Sequence, residues 1–346
     1  MPADSPAAPP GGGAAASPAI HTVELTKRFG STVALAGLTM TVPRGEIFGF
    51  LGPNGAGKTT AVKLLLGLLR PTSGEGWLLG QRVGDLATRR RIGYLPELFR
   101  YQAWLSAREV LALHCELAPL PRSRWNEAID GALNIVGLAD RADSRVSTFS
   151  KGMQQRLGLG AALLGEPELV FLDEPTSALD PIGRHDVRRI IREMAERGTA
   201  VFLNSHLLSE VEQVCDRVAV VDHGRVIASG TMQDLLSGSA VRVRVSGLDG
   251  QLAKLEAFGP VDDEGEHLTF TKLGPERVPD LVSEIVKLGG RVYEVVPRHQ
   301  NLEDRFLQLL HEDEPLIQGP PRNRGEPLPD PLRGSGHGSS DFVGNK

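Results

Sequence analysis

Nine consecutive residues, Gly52-Pro53-Asn54-Gly55-Ala56-Gly57-Lys58-Thr59-Thr60, spell the pattern G-x-x-x-x-G-K-[ST], the phosphate-cradling loop known as Walker A. The chemistry the pattern allows is anion binding. Glycine lets the backbone approach an anion closely and take positive φ at little steric cost. Successive N–H groups then line a concavity at a helix N-terminus, where the dipole favours negative charge. Lys58 adds a point charge for β- and γ-phosphates, and the Thr59 hydroxyl is a ligand for Mg²⁺.

A second cluster is Leu169-Val170-Phe171-Leu172-Asp173-Glu174, an apolar run ending in two carboxylates. Strand C-termini in an open α/β sheet face the ligand crevice. Asp173 is then placed to hold Mg²⁺, mostly through water, since this ion dehydrates reluctantly. Glu174 falls near a γ-phosphate and can orient or deprotonate an attacking water. An ordinary glutamate, with a pKa of about 4.3, is a weak base for that work. Desolvation in a closed site would raise it. Read in isolation the hexapeptide also fits a strand end flanked by solvated acids; the glycine loop upstream favours the metal-and-water reading.

The surrounding elements suit these roles. Ile47-Phe48-Gly49-Phe50-Leu51 reads as a buried strand entering the loop, and Ala61-Val62-Lys63-Leu64-Leu65-Leu66 as a helix leaving it. The short apolar runs Val170–Leu172, Ala200–Leu203 and Val218–Val221 suit strands buried on both faces of a mainly parallel sheet. Thr22–Leu25 and Leu38–Val42 alternate like an antiparallel start. From Leu98 to Thr148 the period becomes helical, which predicts an insertion hung on the sheet. A small second unit is expected over residues 240–311, with a helix from about Glu276 to Leu288 stopped by Gly289-Gly290. Asn301 with Asp304 resembles a capping box before a Phe306-Leu307-Leu310 face. Residues 1–19 and 312–346, rich in Pro and Gly, are expected to be disordered.

Composition narrows the classes. A chain of 346 residues, 40% hydrophobic, buries a core without staples. Its formal net charge of −5 gives no support for nucleic-acid binding. The two cysteines, Cys115 and Cys215, match no metal spacing and no disulfide framework, and read as buried thiols in a reducing compartment. No signal peptide is visible, and no segment reaches the ~20 apolar residues of a membrane span.

Further motifs carry a family resemblance. Thr148-Phe149-Ser150-Lys151-Gly152-Met153-Gln154-Gln155-Arg156 is similar to the signature loop of ABC-type ATPases and precedes the paired carboxylates, as in that family. Asp180, in Ser177-Ala178-Leu179-Asp180, resembles the D-loop; His206, after Ser205, resembles the switch histidine; Phe29 resembles the aromatic that stacks on adenine. Glu97 stands where the family commonly has the glutamine of the Q-loop, and its oxygens can serve a hard cation. The signature reads Phe-Ser-Lys-Gly-Met where Leu-Ser-Gly-Gly-Gln is commoner; Ser150 and Gly152 remain as phosphate contacts, and Lys151 reads as a solvated charge. Both variants resemble ATPases of type-2 ABC exporters, including antibiotic and drug-resistance systems. Those also end in a Leu-Glu-Asp-x-Phe stretch, here Leu302-Glu303-Asp304-Arg305-Phe306.

The resemblance implies an α/β fold: a P-loop ABC-type nucleotide-binding domain over residues 20–236 with a helical subdomain at about 98–160, followed by the small C-terminal α/β domain. It implies an Mg²⁺-dependent ATPase in which Lys58, Glu174 and His206 act on ATP. Each nucleotide would be sandwiched between the Walker A loop of one copy and the Ser150–Gly152 turn of a second. Separately encoded transmembrane permease subunits, a cytoplasmic location on the inner face of the membrane, and export are implied likewise. The rival from another class is a soluble ABC ATPase acting on nucleic acid or the ribosome. One Walker A motif, no sustained heptads and no basic stripe speak against it.

Overall fold

The computed structural model describes residues 17–118, 120–177, 179–236, 239–248, 251–271, 273–299 and 301–312. The chain opens with β1 (Ile20–Phe29) and β2 (Thr32–Val42), then β3 (Ile47–Leu51), α1 (Lys58–Leu65), β4 (Ser73–Leu78), β5 (Gln81–Arg82), α2 (Leu86–Arg89) and β6 (Ile92–Leu95). A helical section follows: α3 (Ala107–Leu117), α4 (Trp125–Ile135) and α5 (Lys151–Leu163). The chain returns to the sheet with β7 (Leu169–Asp173), α6 (Pro181–Glu196), β8 (Ala200–Asn204), α7 (Leu208–Val214), β9 (Arg217–Asp222), β10 (Arg225–Thr231) and α8 (Met232–Leu236). It ends with β11 (Ser239–Ser246), β12 (Val261–Asp263), β13 (His267–Thr271), α9 (Val278–Lys287), β14 (Arg291–His299) and α10 (Leu302–Glu312).

The central sheet has the order β10-β9-β3-β8-β7-β6, parallel throughout except for the β10 edge. Its strands alternate between two apolar layers, the period-two consequence of the pleat. Phe48, Phe50, Phe171 and Phe202 face α1 and the antiparallel sheet β2-β1-β4-β5. The rings of Phe50 and Phe171 stand 5.2 and 5.3 Å from that of Phe202. Ile47, Val170, Leu172, Val201 and Leu203 face the opposite way, toward α6, α7 and the helical section. Burial on both faces explains why these strands read as continuous apolar runs. Residues 98–105, expected to be helical, precede the first helix of the helical section; α3 starts behind a capping box formed by Ser106 and Glu109. Cys115 and Cys215 are free and buried.

At the N-terminus the expectation of disorder through residue 19 is corrected in part. Ala19 is fully buried and its N–H donates to the Val42 carbonyl at 2.9 Å, so the chain is anchored before β1 begins. Residues 1–16 and 313–346, expected to be disordered, lie outside the described residues. The C-terminal sheet, β12-β13-β11-β14, packs on α9 with its own core of Val241, Val243, Phe270, Leu281 and Ile285. The last helix does not join that core. Leu302 is buried in the core of the preceding domain, so α10, expected inside the small unit, packs against α7 and α8 instead.

Candidate functional site

The glycines of the loop are dictated by close approach. A Cβ at Gly52 would lie 2.2 Å from the Val221 carbonyl oxygen, and one at Gly57 would lie 2.3 Å from that of Ala34. Gly57 also has φ +98, a left-handed conformation that suits glycine, and it forms the N-terminal boundary of α1. The loop therefore wraps from the end of β3 to the helix start without side-chain obstruction. Lys58 is buried, and its Nζ donates to the carbonyls of Gly52 (2.7 Å) and Pro53 (3.2 Å). The ammonium thus spans the loop it belongs to. Burial lowers its pKa, opposed by the charges of Glu174, Asp173 and Glu97. Thr59, at the second position of α1, is exposed.

The paired carboxylates stand at the end of β7, between β8 and β6. Asp173 is buried and accepts a hydrogen bond of 2.5 Å from Asn204 Nδ2; the two residues are register partners across β7 and β8. Burial raises its pKa, Asn204 and the lysines 58 and 63 pull it back, and Glu97 pushes it up. Glu174 follows with φ +52, a left-handed conformation unusual for a non-glycine residue and a form of strain that clusters at functional sites. Its N–H donates to the Asn204 carbonyl at 2.8 Å, which fixes the turn. The carboxylate is buried, and its Oε2 lies 2.8 Å from His206 Nδ1. Desolvation raises its pKa, partly offset by His206 and Lys58. His206 sits between β8 and α7 with its side chain 55% exposed.

Five predicted residues from four segments thus converge: Lys58, Glu97, the adjacent Asp173 and Glu174, and His206 are linked through mutual contact or charge. The remaining loop residues flank Lys58, whereas Phe29, Ser150, Gly152 and Asp180 lie elsewhere on the chain. Phe29, at the end of β1, is 49% exposed with Lys27 Nζ 5.1 Å from its ring centre. Ser150 caps α5, accepting from the Met153 N–H at 3.2 Å, and Asp180 caps α6, accepting from the Gly183 N–H at 2.8 Å. Lys151 is exposed. Gly152 is different from the loop glycines. A Cβ there would make only ordinary contacts, at 3.8 Å or beyond, and its φ is not positive. Nothing among the described residues requires glycine at that position.

Asn204 was missed by sequence reasoning. The sequence offered only part of the signal: Asn204 is the polar residue closing the run Ala200–Leu203, while its register with Asp173 is set by the pairing of β7 with β8. Tyr94, at the end of β6, was missed too; burial raises its pKa, and so do Asp173 and Glu97 nearby.

Comparison with known proteins accords with this geometry. Residues 35–177 match the family model described as ABC transporter. The chain is 36% identical over 301 residues to the bacitracin transport ATP-binding protein BcrA of Bacillus licheniformis, covering 84% of this chain and 97% of that one. The chain belongs to the ABC transporter ATP-binding family. It is also 35% identical over 299 residues to the Nod factor export ATP-binding protein I of Rhizobium sp. (strain N33), covering 84% and 96% of the two chains. Among solved structures, an ATP-binding subunit of an ABC transporter superposes with a TM-score of 0.57 at 31% identity, over 63% of this chain and 92% of that one. The ABC ATPase binds ATP and hydrolyses it to power transport, the activity of its family. These relatives carry transport in their names, which leaves the nucleic-acid alternative without support. No helix among the described residues is long and apolar enough to cross a membrane.

Proposed function

We propose that this ABC ATPase energises export through separately encoded permease subunits, working as a homodimer on the cytoplasmic face of the membrane. The observation that carries the catalytic part is Glu174, buried, backbone-strained, 2.8 Å from His206 and within the field of Lys58. In this reading Lys58 and the amides of Gly52–Thr60 hold the β- and γ-phosphates and stabilise charge on the transferring group, the main need of phosphoryl transfer. Glu174 takes the proton of the attacking water, and His206 orients Glu174 and the γ-phosphate. Phe29 stacks on adenine.

Mg²⁺ fits the oxygen-rich wall of the site. Asn204 Oδ1 is buried without a protein donor beside Asp173, an acceptor that a metal-bound water would satisfy. Thr59, Asp173 and Glu97 would hold the ion, which when bound neutralises charge on the phosphates. Among the described residues no three His, Cys, Asp or Glu side chains form a ready cage. Mg²⁺ sites of this kind use one or two carboxylates plus substrate oxygens. Glu97→Gln keeps one oxygen ligand, so ATP affinity should stay within about tenfold, about 1.4 kcal/mol. Titration with a fluorescent ATP analogue measures it; complete loss would make the acid an obligatory ligand.

The dimer is supported by Gly152. A glycine unconstrained from within suits close approach from outside, as when the N-terminus of α5 meets the phosphate held by a second copy. The permease is supported by a cleft of about 430 Å³ between the loop after β6 and the helical section, lined by Tyr94, Phe99, Tyr101, His114 and Leu117. Leu98 and Leu117, 87% and 86% exposed, project beside it. Export is supported by the Nod factor relative. The deciding experiment is co-expression with a neighbouring six-span protein. Copurification in detergent with ATPase stimulation is expected; a chain that hydrolyses ATP but remains in the soluble fraction would overturn the permease assignment.

A further inference from the structure

We propose that Phe306, in the last helix of the chain, is a positioning residue for ATP hydrolysis that acts through His206. A cavity of about 230 Å³ is walled by Gly52, Pro53 and Asn54 of the phosphate loop, by Ser205, His206 and Leu208, and by Phe306. Phe306 therefore lines the same cavity as the loop that grips phosphate and the histidine next to Glu174. It comes from α10, nearly a hundred residues beyond His206 and after a complete intervening sheet domain.

Two anchors hold α10 there. Leu302 is 1% exposed and packs into the ATPase core, and its N–H donates to Glu212 Oε2 on α7 at 2.9 Å. The Asp304 N–H is capped by Asn301 Oδ1 at 2.7 Å, which fixes the first turn and hence the position of Phe306 one turn on. Helix α7 is pinned from its other neighbour by Arg188 on α6, whose Nη1 lies 2.6 Å from the buried Glu210. This short helix begins two residues after His206, so α6 and α10 together set where the histidine stands.

The need for such a wall follows from the geometry of His206. Its imidazole is more than half exposed and approaches Glu174 through one nitrogen. A ring held at a single point retains rotameric freedom, and misplacement of a catalytic group by about 1 Å can cost a hundredfold. A rigid aromatic neighbour restricts that freedom at little entropic cost of its own, the support a reacting group requires from its surroundings. It also gives the C-terminal domain a physical route to the hydrolytic centre: whatever displaces α10 loosens the switch histidine.

The test compares full-length wild type with Phe306→Ala, Phe306→Leu, His206→Ala and the Phe306→Ala/His206→Ala pair, reading kcat, KM and affinity for a fluorescent ATP analogue. Phe306→Ala should lower kcat about tenfold with ATP affinity almost unchanged, and Phe306→Leu should restore most of the rate. In the His206→Ala background the Phe306 change should have no further effect, because residues acting through one another are non-additive. Leu307→Ala, at the exposed neighbouring position, should behave as wild type. Wild-type kcat in Phe306→Ala, a parallel fall in ATP affinity, or additive losses in the pair would overturn the inference. Should Phe306→Ala not fold, Glu212→Ala decides, since it cuts the bond to Leu302 N–H without emptying the core: reduced kcat supports the inference and wild-type kcat overturns it. The inference rests on the switch role proposed for His206. A fully active His206→Ala removes that reading, whereas a slow His206→Ala beside a fully active Phe306→Ala removes this inference alone.

Discussion

Glu174→Gln should slow ATP turnover by at least about a hundredfold while leaving ATP binding intact, the size of effect expected when a general base is neutralised. The substitution is nearly isosteric. It preserves the strained turn at φ +52, the backbone bond from Glu174 N–H to Asn204, and contact with His206, while removing the proton acceptor. Because the nucleotide then stays intact, the ATP-bridged dimer should persist. Gel filtration with ATP would find a dimer for the variant and a monomer–dimer exchange for wild type. Near-normal turnover would reassign the catalytic carboxylate, with Asp173 the remaining acid on the same strand end.

The pH profile provides a second readout. Burial raises the Glu174 pKa above that of an ordinary glutamate. The base works deprotonated, so activity should fall as pH drops through that raised value, at a higher pH than for a solvated glutamate. Bound phosphates push in the same direction, since a neighbouring negative charge disfavours a second one. The acid limb of the wild-type kcat profile should therefore lie above that expected for a solvated glutamate and be absent from the residual activity of Glu174→Gln.

What the sequence made legible divides along physical lines. The phosphate loop was readable because its glycine spacing, with Lys58 and Thr59, is a contiguous pattern, although the close approaches that demand glycine, to Val221 and Ala34, come from distant segments. The central strands were readable because burial on both faces leaves an unbroken apolar run. The helix stop at Gly289 was readable for a local reason: α9 ends at Lys287 and Gly289 has φ +86, a conformation that suits glycine. The contribution of Asn204 depends on which strand lies beside β7, a pairing between residues 31 positions apart that no local pattern encodes. The return of α10 to the ATPase is further still from local rules. Its sequence shows an amphipathic helix with a cap at Asn301, but an apolar face does not say which of two cores it will meet. Leu302 and Phe306 could have packed on the C-terminal sheet; long-range packing put them on α7 and at the rim of the site.

Lys58→Ala should abolish measurable ATP binding, a loss of at least about a hundredfold, or about 2.7 kcal/mol. The ammonium is buried and partly desolvated, the condition under which a charge–phosphate contact is strongest. In the free protein it is held by the carbonyls of Gly52 and Pro53, so it is already oriented when phosphate arrives. Its removal acts twice. The phosphate loses its cation, and Asp173 and Glu174 lose the positive charge that opposes their burial, so both take up protons more readily. A protonated Asp173 is a poorer support for Mg²⁺, which deepens the loss. The measurement is thermal denaturation with and without ATP. Wild type should gain stability with ATP concentration, as any ligand selective for the native state requires, and the variant should gain none. Lys58→Arg should not rescue it, because a planar, forked guanidinium cannot fill the place of a compact ammonium bonded to two carbonyls of the same loop. An ATP-dependent stabilisation equal to wild type in Lys58→Ala would remove the loop from the binding mechanism altogether.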